Sequence, residues 1–320
     1  MLRDVSEPVP SSHRCPVVAV VVTYRSALDI GACLRSLAVQ LGAADHVVVV
    51  DNASPDRSAE TVEAALRTHL RPASRWQLIR STVNLGFGRA CNLAAARLPD
   101  HDILLLNPDS VLQPGSIATL CQALAADPTR GAAGPRIERF DGAPEPGCRR
   151  SLPRPGVAVG RLLGLDRLAP SRFGSYNRLG QDPMVPADIE AGSGCCALIR
   201  RTAWEQVGGF DPDFFMYGED LDLFLRLGRA GWITRYVPSA LALHRKGAST
   251  DHARDRMLFE FHRAMWIYYR KHHLRSPAAL LAPLVLAGLG ARFTLLVVLQ
   301  RLRRSRRAMD GRAVAVGGSG

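Results

Sequence analysis

Runs of β-branched and aliphatic residues recur early in the chain, and each closes on polar residues. VVAVVVTY (Val17 to Tyr24), HVVVVDNAS (His46 to Ser54) and DILLLNPDS (Asp102 to Ser110) are continuous apolar runs before their polar ends, the signature of strands buried on both faces. WQLIR (Trp76 to Arg80) is a further strand. Between them the pattern predicts helices over Leu28 to Gln40 and Asp56 to His69, and one that VNLGFGRACNLAAA (Val83 to Ala96) leads into. Alternation of this kind predicts right-handed βαβ units and a parallel sheet. Ligands of such sheets bind beyond the carboxyl ends of the strands. Tyr24, Asp51, Asn84 and Asp109 fall at or near those ends.

From Glu138 to Glu190 the pattern breaks down, with dense Pro, Gly and Arg, as in GAPEPGCRRSLPRPG. A stretch this long is expected to be a mobile functional loop or an insertion. GSGCCALIRR (Gly192 to Arg201) reads as a strand and a turn, ITRYV (Ile233 to Val237) as another strand, and LALHRKGAST ends a strand near His244. A helix is expected from about Ala253 to His273.

Between these lies FFMYGEDLDLFLRLGRAGW, Phe214 to Trp232. Leu221, Phe224, Leu225 and Gly228 recur at helical spacing on one face. Glu219, Asp220 and Asp222 precede or open that helix, at the positive end of its dipole. Two readings stand: a well-capped core helix, or an acidic pair aimed at a reacting hydroxyl.

AALLAPLVLAGLGARFTLLVVLQ (Ala278 to Gln300) is long enough to span a bilayer, since ~20 apolar residues suffice. Pro283, several small-residue breaks and Arg292 favour a membrane-seated helix or hairpin over a full span. One mid-span Arg costs on the order of 2.5–3.5 kcal/mol on insertion scales. A buried amphipathic helix closing the domain is the remaining reading. RLRRSRR (Arg301 to Arg307) follows directly, and a polybasic flank of this kind faces the cytoplasm.

Charge sharpens that picture. The chain carries +12 in 320 residues, and +9 of it lies beyond residue 250, where 13 Lys/Arg meet 4 Asp/Glu. A nucleic-acid binder spreads or stripes its charge over the fold, so no nucleic-acid partner is expected. A basic tail beside apolar sequence fits anionic lipid. Seven scattered cysteines without a C-x-x-C pair predict reduced thiols in a cytosolic compartment. Residues 1–16 lack a signal-peptide core and are expected to be a disordered lead-in, as are residues 309–320 at the other end.

The motifs taken in order, VVVTYRS, VVVVDNAS, NLGFGRACN, LLLNPDS, GSGCCALIRR, GGFDPDFFMYGEDLDLFLRLGRAGW and HRKGAS, resemble a family 2 inverting glycosyltransferase of the GT-A fold. Within that family they are similar to the bacterial rhamnosyltransferase-like branch. The resemblance covers Val17 to about His273. It implies an α/β fold with a mixed, mainly parallel central sheet flanked by helices, and the tail adds a C-terminal membrane-associated segment. The expected layout is a nucleotide-sugar half at 17–137, the loop at 138–190, an acceptor and catalytic half at 191–274, and the membrane-associated segment at 275–308.

The resemblance also implies a nucleotide-diphospho-sugar donor, a divalent Mg²⁺ or Mn²⁺, and a carboxylate base. Asp51 is expected to accept the N3–H of a pyrimidine, or else to make an Asx turn in VDNAS. Tyr24 packs near that base or is structural. Asn84, Gly86 and Asn92 are expected at the donor, Gly86 through bare backbone. Asn107-Pro108-Asp109 stands where the family often has Asp-x-Asp. Asp109 is then the metal carboxylate and Asn107 a ribose partner, and a second ligand is needed. His244 matches a family position that supplies one, and imidazole suits Mn²⁺ better than Mg²⁺. Asp220 is the expected base with Glu219 beside it. Asp222, Arg149 and Arg150 are expected to bind acceptor, with the Arg-rich loop extending to Arg154.

The expected donor is dTDP-L-rhamnose, with UDP-galactofuranose or another UDP-sugar as runner-up. The expected acceptor is a polyprenyl-diphosphate-linked or other envelope glycan, met at the cytoplasmic face of a bacterial plasma membrane. NLGFG is not G-x-G-x-x-G and the ribose acid ~20 residues on is missing, which counts against a dinucleotide oxidoreductase. A nucleotidyltransferase would need a Gly-rich phosphate loop after the first strand, where TYRSALD has none. A non-catalytic scaffold would have lost the acids that this chain retains.

Overall fold

The valine runs form the centre of a nine-stranded sheet because alternate residues face opposite layers. The computed structural model describes residues 16–70, 75–153, 182–245 and 254–317, with the backbone alone at 146, 254 and 303–317. Within it lie strands β1 (Val17–Thr23), β2 (His46–Asp51), β3 (Trp76–Arg80), β4 (Asp102–Leu106), β5 (Ser110–Leu112), β6 (Arg130–Glu138), β7 (Ala187–Ile189), β8 (Cys196–Ile199) and β9 (Ile233–His244). Helices α1 (Ile30–Ala38), α2 (Ser58–His69), α3 (Phe87–Ala95), α4 (Ser116–Ala125), α5 (Arg201–Val207) and α6 (Glu219–Arg229) intervene, and α7 (Arg254–His273) and α8 (Ala282–Gly317) follow.

Strand order is β3-β2-β1-β4-β8-β6-β9-β5, with β7 also on β9. The β3-β2-β1-β4 half is parallel, as the alternation predicts. The sheet is mixed, as expected: β6 pairs parallel with β9, while β8 enters antiparallel between β4 and β6, and β5 and β7 both pair antiparallel with β9. Val17, Ala19, Val21, Val47, Val49, Leu104 and Leu106 meet α1, α2 and α4 on one face. Val18, Val20, Val22, Val48, Val50, Ile103 and Leu105 meet α3, α5 and α6 on the other. Both faces are covered, so neither set is exposed.

Several elements are invisible in the hydrophobic pattern. β5, α4 and β6 fill residues 110–138. β6, RGAAGPRIE, has poor strand propensity but is buried because it is small. A Cβ on Gly131 would sit 2.7 Å from the Trp232 side chain. The residues after β8 form helix α5 rather than a turn. β9 is one twelve-residue strand, its two predicted pieces joined across a register shift opposite Pro135 and Arg136. The segment expected to be one long loop contains a 3₁₀ turn at Pro146–Cys148 and strand β7. Arg154, and the HRKGAS motif beyond Arg245, lie outside the described residues.

The chain divides into two compact units. One comprises Met1–Leu152, Ser175–Phe215 and Glu219–Ser249, and the other Pro153–Gly174, Met216–Gly218 and Thr250–Gly320. Helix α7, expected at the end of the transferase domain, thus groups with α8. The stretch Pro277–Leu302 is long and apolar enough to cross a membrane. Its Leu280, Leu284, Leu286, Leu295, Val298, Leu299 and Leu302 are exposed. Arg292 is not stranded among them: Nη1 lies 3.3 Å from Nε2 of His262, and the guanidinium sits 5.4 Å from the Phe261 ring centre, both on α7. His262 donates from Nδ1 to Leu258 O, so Nε2 is free to accept. Burial and then the Arg292 charge hold its pKa below the usual histidine value, against the Leu258 bond. The α8 backbone stays helical to Gly317, through most of the tail expected to lie outside any element.

Candidate active site

β1 and β2 run in register to Thr23 and Asp51, so their polar ends share one edge of the sheet. The next residues turn sharply. Arg25 and Ala53 both take positive φ, 54° and 60°, which non-glycine residues adopt uncommonly. Asp51 is buried. Its Oδ2 accepts from Ser54 N at 3.2 Å, the Asx turn read as one alternative. Its Oδ1 is buried without a hydrogen-bond partner. One carboxylate therefore makes the turn and keeps an acceptor for a ligand N–H. Tyr24 is half-buried beside it, with the Arg25 guanidinium 5.8 Å from its ring centre.

Asn52, which the motif contains but the sequence reading passed over, organises the neighbouring loop. Its Nδ2 donates to Asn84 Oδ1 and Gly86 O, and its Oδ1 accepts from Leu85 N at 2.8 Å. Gly86 has φ 81°, and a Cβ there would lie 2.3 Å from Phe215 O. Its missing side chain makes room for that carbonyl, which Phe87 N also reaches, not for a ligand. Asn92 is likewise committed. It donates from Nδ2 to Phe210 O at 2.7 Å and accepts from Phe210 N at 2.9 Å. Both amide ends tie α3 to the Gly209-Phe210 turn, so Asn92 is structural rather than a donor contact.

β4 ends at Leu106, opposite Cys196 of β8. Asn107, half-buried, donates from its backbone to Cys195 O, and Asp109 follows. Ser110 pairs with His244, which brings the end of β9 to Asp109. His244 Nε2 lies 3.3 Å from Asp109 Oδ1, and Nδ1 lies 2.7 Å from Glu145 Oε2. All three side chains are buried. Burial alone favours a neutral ring, but the bonds and charges of Asp109 and Glu145 outweigh it and push the His244 pKa up to about 9. Asp109 Oδ1 has no aligned hydrogen-bond donor, so its contact with Nε2 is an ion-pair separation. Glu145 lies in the Pro-rich GAPEPGC stretch, where nothing in the sequence marks it.

Among the described residues no group of three or more His, Cys, Asp or Glu is arranged as a ready metal cage. An unsatisfied carboxylate oxygen facing an imidazole nitrogen still fits a cation that takes one or two protein ligands and completes its shell with phosphate oxygens and water.

Asp220 reaches the same neighbourhood from α6. Gly194 N, next to Cys195, donates to Asp220 Oδ2 at 3.3 Å, and Leu221 N donates to Oδ1 at 2.8 Å. Arg150 Nη2 donates to Oδ2 at 2.5 Å and also to Gly192 O. A Cβ on Gly194 would approach the Asp220 Cβ to 3.2 Å, so a glycine there lets the acid close on the loop. Glu219 is buried with Oε2 unpartnered. Burial, and then the Asp220 charge, push its pKa to about 8. At neutral pH it is protonated beside an Asp that Arg150 partners.

Two expected acceptor residues are occupied elsewhere. Asp222 is fully buried and bound by Arg226 one turn on, at 2.8 Å from Nε and 2.6 Å from Nη2. Arg149 is buried, lies 5.0 Å from the centre of the Tyr236 ring and donates to Asp182 O. Arg150, the third, serves Asp220.

Asp51 and Asp109 thus follow the carboxyl ends of parallel β2 and β4, His244 lies beside Asp109, and Asp220 is bound to Gly194 N, next to the Cys195 whose carbonyl takes Asn107 N. An acceptor for a base N–H, a cation pair and a carboxylate together suit transfer from a nucleotide diphosphate.

Comparison with known proteins gives a consistent picture. The model of glycosyl transferase family 2 matches residues 18–208, and that of glycosyl transferase family group 2 matches residues 175–309. The chain is 36% identical over 307 residues to an N-acetylglucosaminyl-diphospho-decaprenol L-rhamnosyltransferase of Mycobacterium tuberculosis, covering 91% of this chain and 95% of that one. It is 32% identical over 180 residues to the rhamnosyltransferase WbbL of Escherichia coli, covering 50% of this chain and 60% of that one. Its fold is similar to that of a mannosyltransferase from Pyrobaculum calidifontis solved with GDP-Man and Mn²⁺. There the TM-score is 0.56 at 20% identity, over 97% of this chain and 84% of the other.

Proposed function

The chain belongs to glycosyl transferase family 2, and from that membership we propose that it transfers L-rhamnose from dTDP-L-rhamnose, with inversion, to an N-acetylglucosaminyl diphospho-polyprenol. It is a glycosyltransferase of the GT-A fold. The donor and acceptor are read from the rhamnosyltransferase that it matches over nearly the full length of both chains. The observation that carries the chemistry is the placement of Asp51 and Asp109–His244 after the carboxyl ends of parallel β2 and β4, with Asp220 bound to the loop before β8.

Asp51 binds the thymine, its unpartnered Oδ1 accepting the N3–H. Tyr24 lies beside the ring, and Asn107 reaches the ribose. Asp109 and His244 are the residues that would hold a divalent cation. When bound, the cation neutralises charge on the departing diphosphate. Asp220 is the base. The acceptor hydroxyl oxygen forms a bond to C1 on the face opposite the diphosphate, and the C1–oxygen bond to the nucleotide breaks. The electron pair leaves with dTDP, and the hydroxyl proton passes to Asp220. A carboxylate held by Arg150 and the Gly194 N–H is a weak base, which suffices when C1 is already oxocarbenium-like and the proton leaves late. Protonated Glu219 lends no second negative charge to repel the diphosphate.

The apolar stretch Pro277–Leu302 and the Arg cluster behind it support seating on the cytoplasmic leaflet. A polybasic patch there contributes on the order of 1 kcal/mol per Arg, and a polyprenyl tail stays in the same bilayer. Incubating the purified chain with a panel of dTDP-, UDP- and GDP-sugars tests the donor. Preference for a UDP-hexose overturns the rhamnosyl assignment but not the family.

A further inference from the structure

Glu145 plays no part in the chemistry above, yet it makes the shortest polar contact to His244. Its Oε2 accepts from Nδ1 at 2.7 Å, and Nε2 on the far side of the ring faces Asp109. The carboxylate is anchored independently of β9. Glu145 N donates to Ile137 O of β6, and Glu145 O accepts from Cys148 N across the 3₁₀ turn. Both side chains are buried, so water does not compete for Nδ1. A neutral imidazole has one N–H, and the partner of one nitrogen decides what the other offers. With Nδ1–H held by Glu145, Nε2 is the nitrogen left facing Asp109, and a cation taking that place displaces the proton from it.

We infer that Glu145 is a positioning residue for the divalent cation: it fixes the Nδ1–H tautomer and the ring orientation of His244, so that Nε2 is the atom offered beside Asp109. The inference rests on the reading of Asp109 and His244 as the cation pair. Carboxylates that orient a ligating histidine typically change metal affinity 10–100-fold when removed.

The test is direct Mn²⁺ binding to the full-length protein without donor, read from the electron paramagnetic resonance signal of free Mn²⁺ at one fixed pH. Glu145→Ala lowers affinity roughly 10–100-fold. Glu145→Asp keeps the charge but shortens the reach, and also loses affinity. Glu145→Gln still accepts from Nδ1 through its amide oxygen and retains most of it. Wild-type affinity in Glu145→Ala overturns the inference while leaving the cation pair intact. A loss in Glu145→Gln as deep as in Glu145→Ala overturns it as well, because charge and not the hydrogen bond then matters. Should Glu145→Ala not fold, the contrast between Asp and Gln decides alone. A wild-type protein that binds no Mn²⁺ removes the cation reading and this inference together.

Discussion

Asp220 and Arg150 are joined through a single carboxylate oxygen: Nη2 donates to Oδ2 at 2.5 Å, and the Gly194 N–H reaches the same oxygen. The acid assigned as the base is therefore held in place by the loop that precedes β8 and by residue 150, on the far side of the segment 154–181. Asp220→Asn keeps this shape and removes the proton acceptor. Turnover should fall on the order of 10²–10⁴-fold while dTDP binding, followed by calorimetry, is unchanged. Normal turnover in the Asn variant would reduce Asp220 to a helix cap.

Glu219 gives the fold a pH dependence. Burial and the Asp220 charge raise its folded pKa from the ordinary glutamate value, about 4.5, to about 8. The folded state thus keeps a proton that the unfolded chain has released, and stability declines as pH rises between those values. The slope is at most about 1.4 kcal/mol per pH unit. Glu219→Gln should be more stable than wild type at pH 7–8, with the gap closing toward pH 4.5. Denaturant melts across that window measure it. A gap that does not change with pH contradicts the raised pKa.

Asn92 separates fold from site. Losing both of its bonds to Phe210 should destabilise Asn92→Ala by about 1–3 kcal/mol, seen as a lower urea midpoint. The KM for donor, measured well below that midpoint, should not move. A raised donor KM with unchanged stability would restore Asn92 to the donor site.

The strand ends that carry Asp51 and Asp109 were legible in the sequence because buried parallel strands are written as unbroken apolar runs. Asp51 and Asp109 had only to be read off where those runs stop, and His244 and Asp220 came with the family motifs. The commitments of Asn92, Asp222 and Arg149 were not legible. Each polar group is satisfied by a partner, such as Phe210 O or Tyr236, that only the fold brings near. Glu145 could not be found at all, sitting between two prolines in a stretch without periodicity. Glycine-rich β6 was hidden because tight packing, not strand propensity, makes it a strand.

The cation reading gives a paired prediction. Asp109→Ala should abolish transfer, and His244→Ala should weaken its dependence on added Mg²⁺ or Mn²⁺. Full activity of Asp109→Ala in the presence of a chelator contradicts the reading.

Truncation after Ser276 should release the protein from membranes. It should spare donor hydrolysis and reduce transfer to a polyprenyl-linked acceptor far more than to a short soluble analogue. A truncated chain that still sediments with membranes, or uses both acceptors as before, makes the apolar stretch part of the folded core.

The central claim is one sugar moved, with inversion, from dTDP-L-rhamnose to a lipid-linked N-acetylglucosamine. Its most direct test incubates the purified full-length protein, in detergent with Mn²⁺, with dTDP-L-rhamnose and N-acetylglucosaminyl diphospho-polyprenol. The lipid product is then analysed by mass spectrometry and anomeric NMR. The expected product is heavier by one deoxyhexose, its anomeric configuration is opposite to that of the donor, and Asp220→Asn forms it on the order of 10²–10⁴-fold more slowly. Retention of the donor's configuration, or transfer from UDP-hexoses but not from dTDP-L-rhamnose, would contradict it.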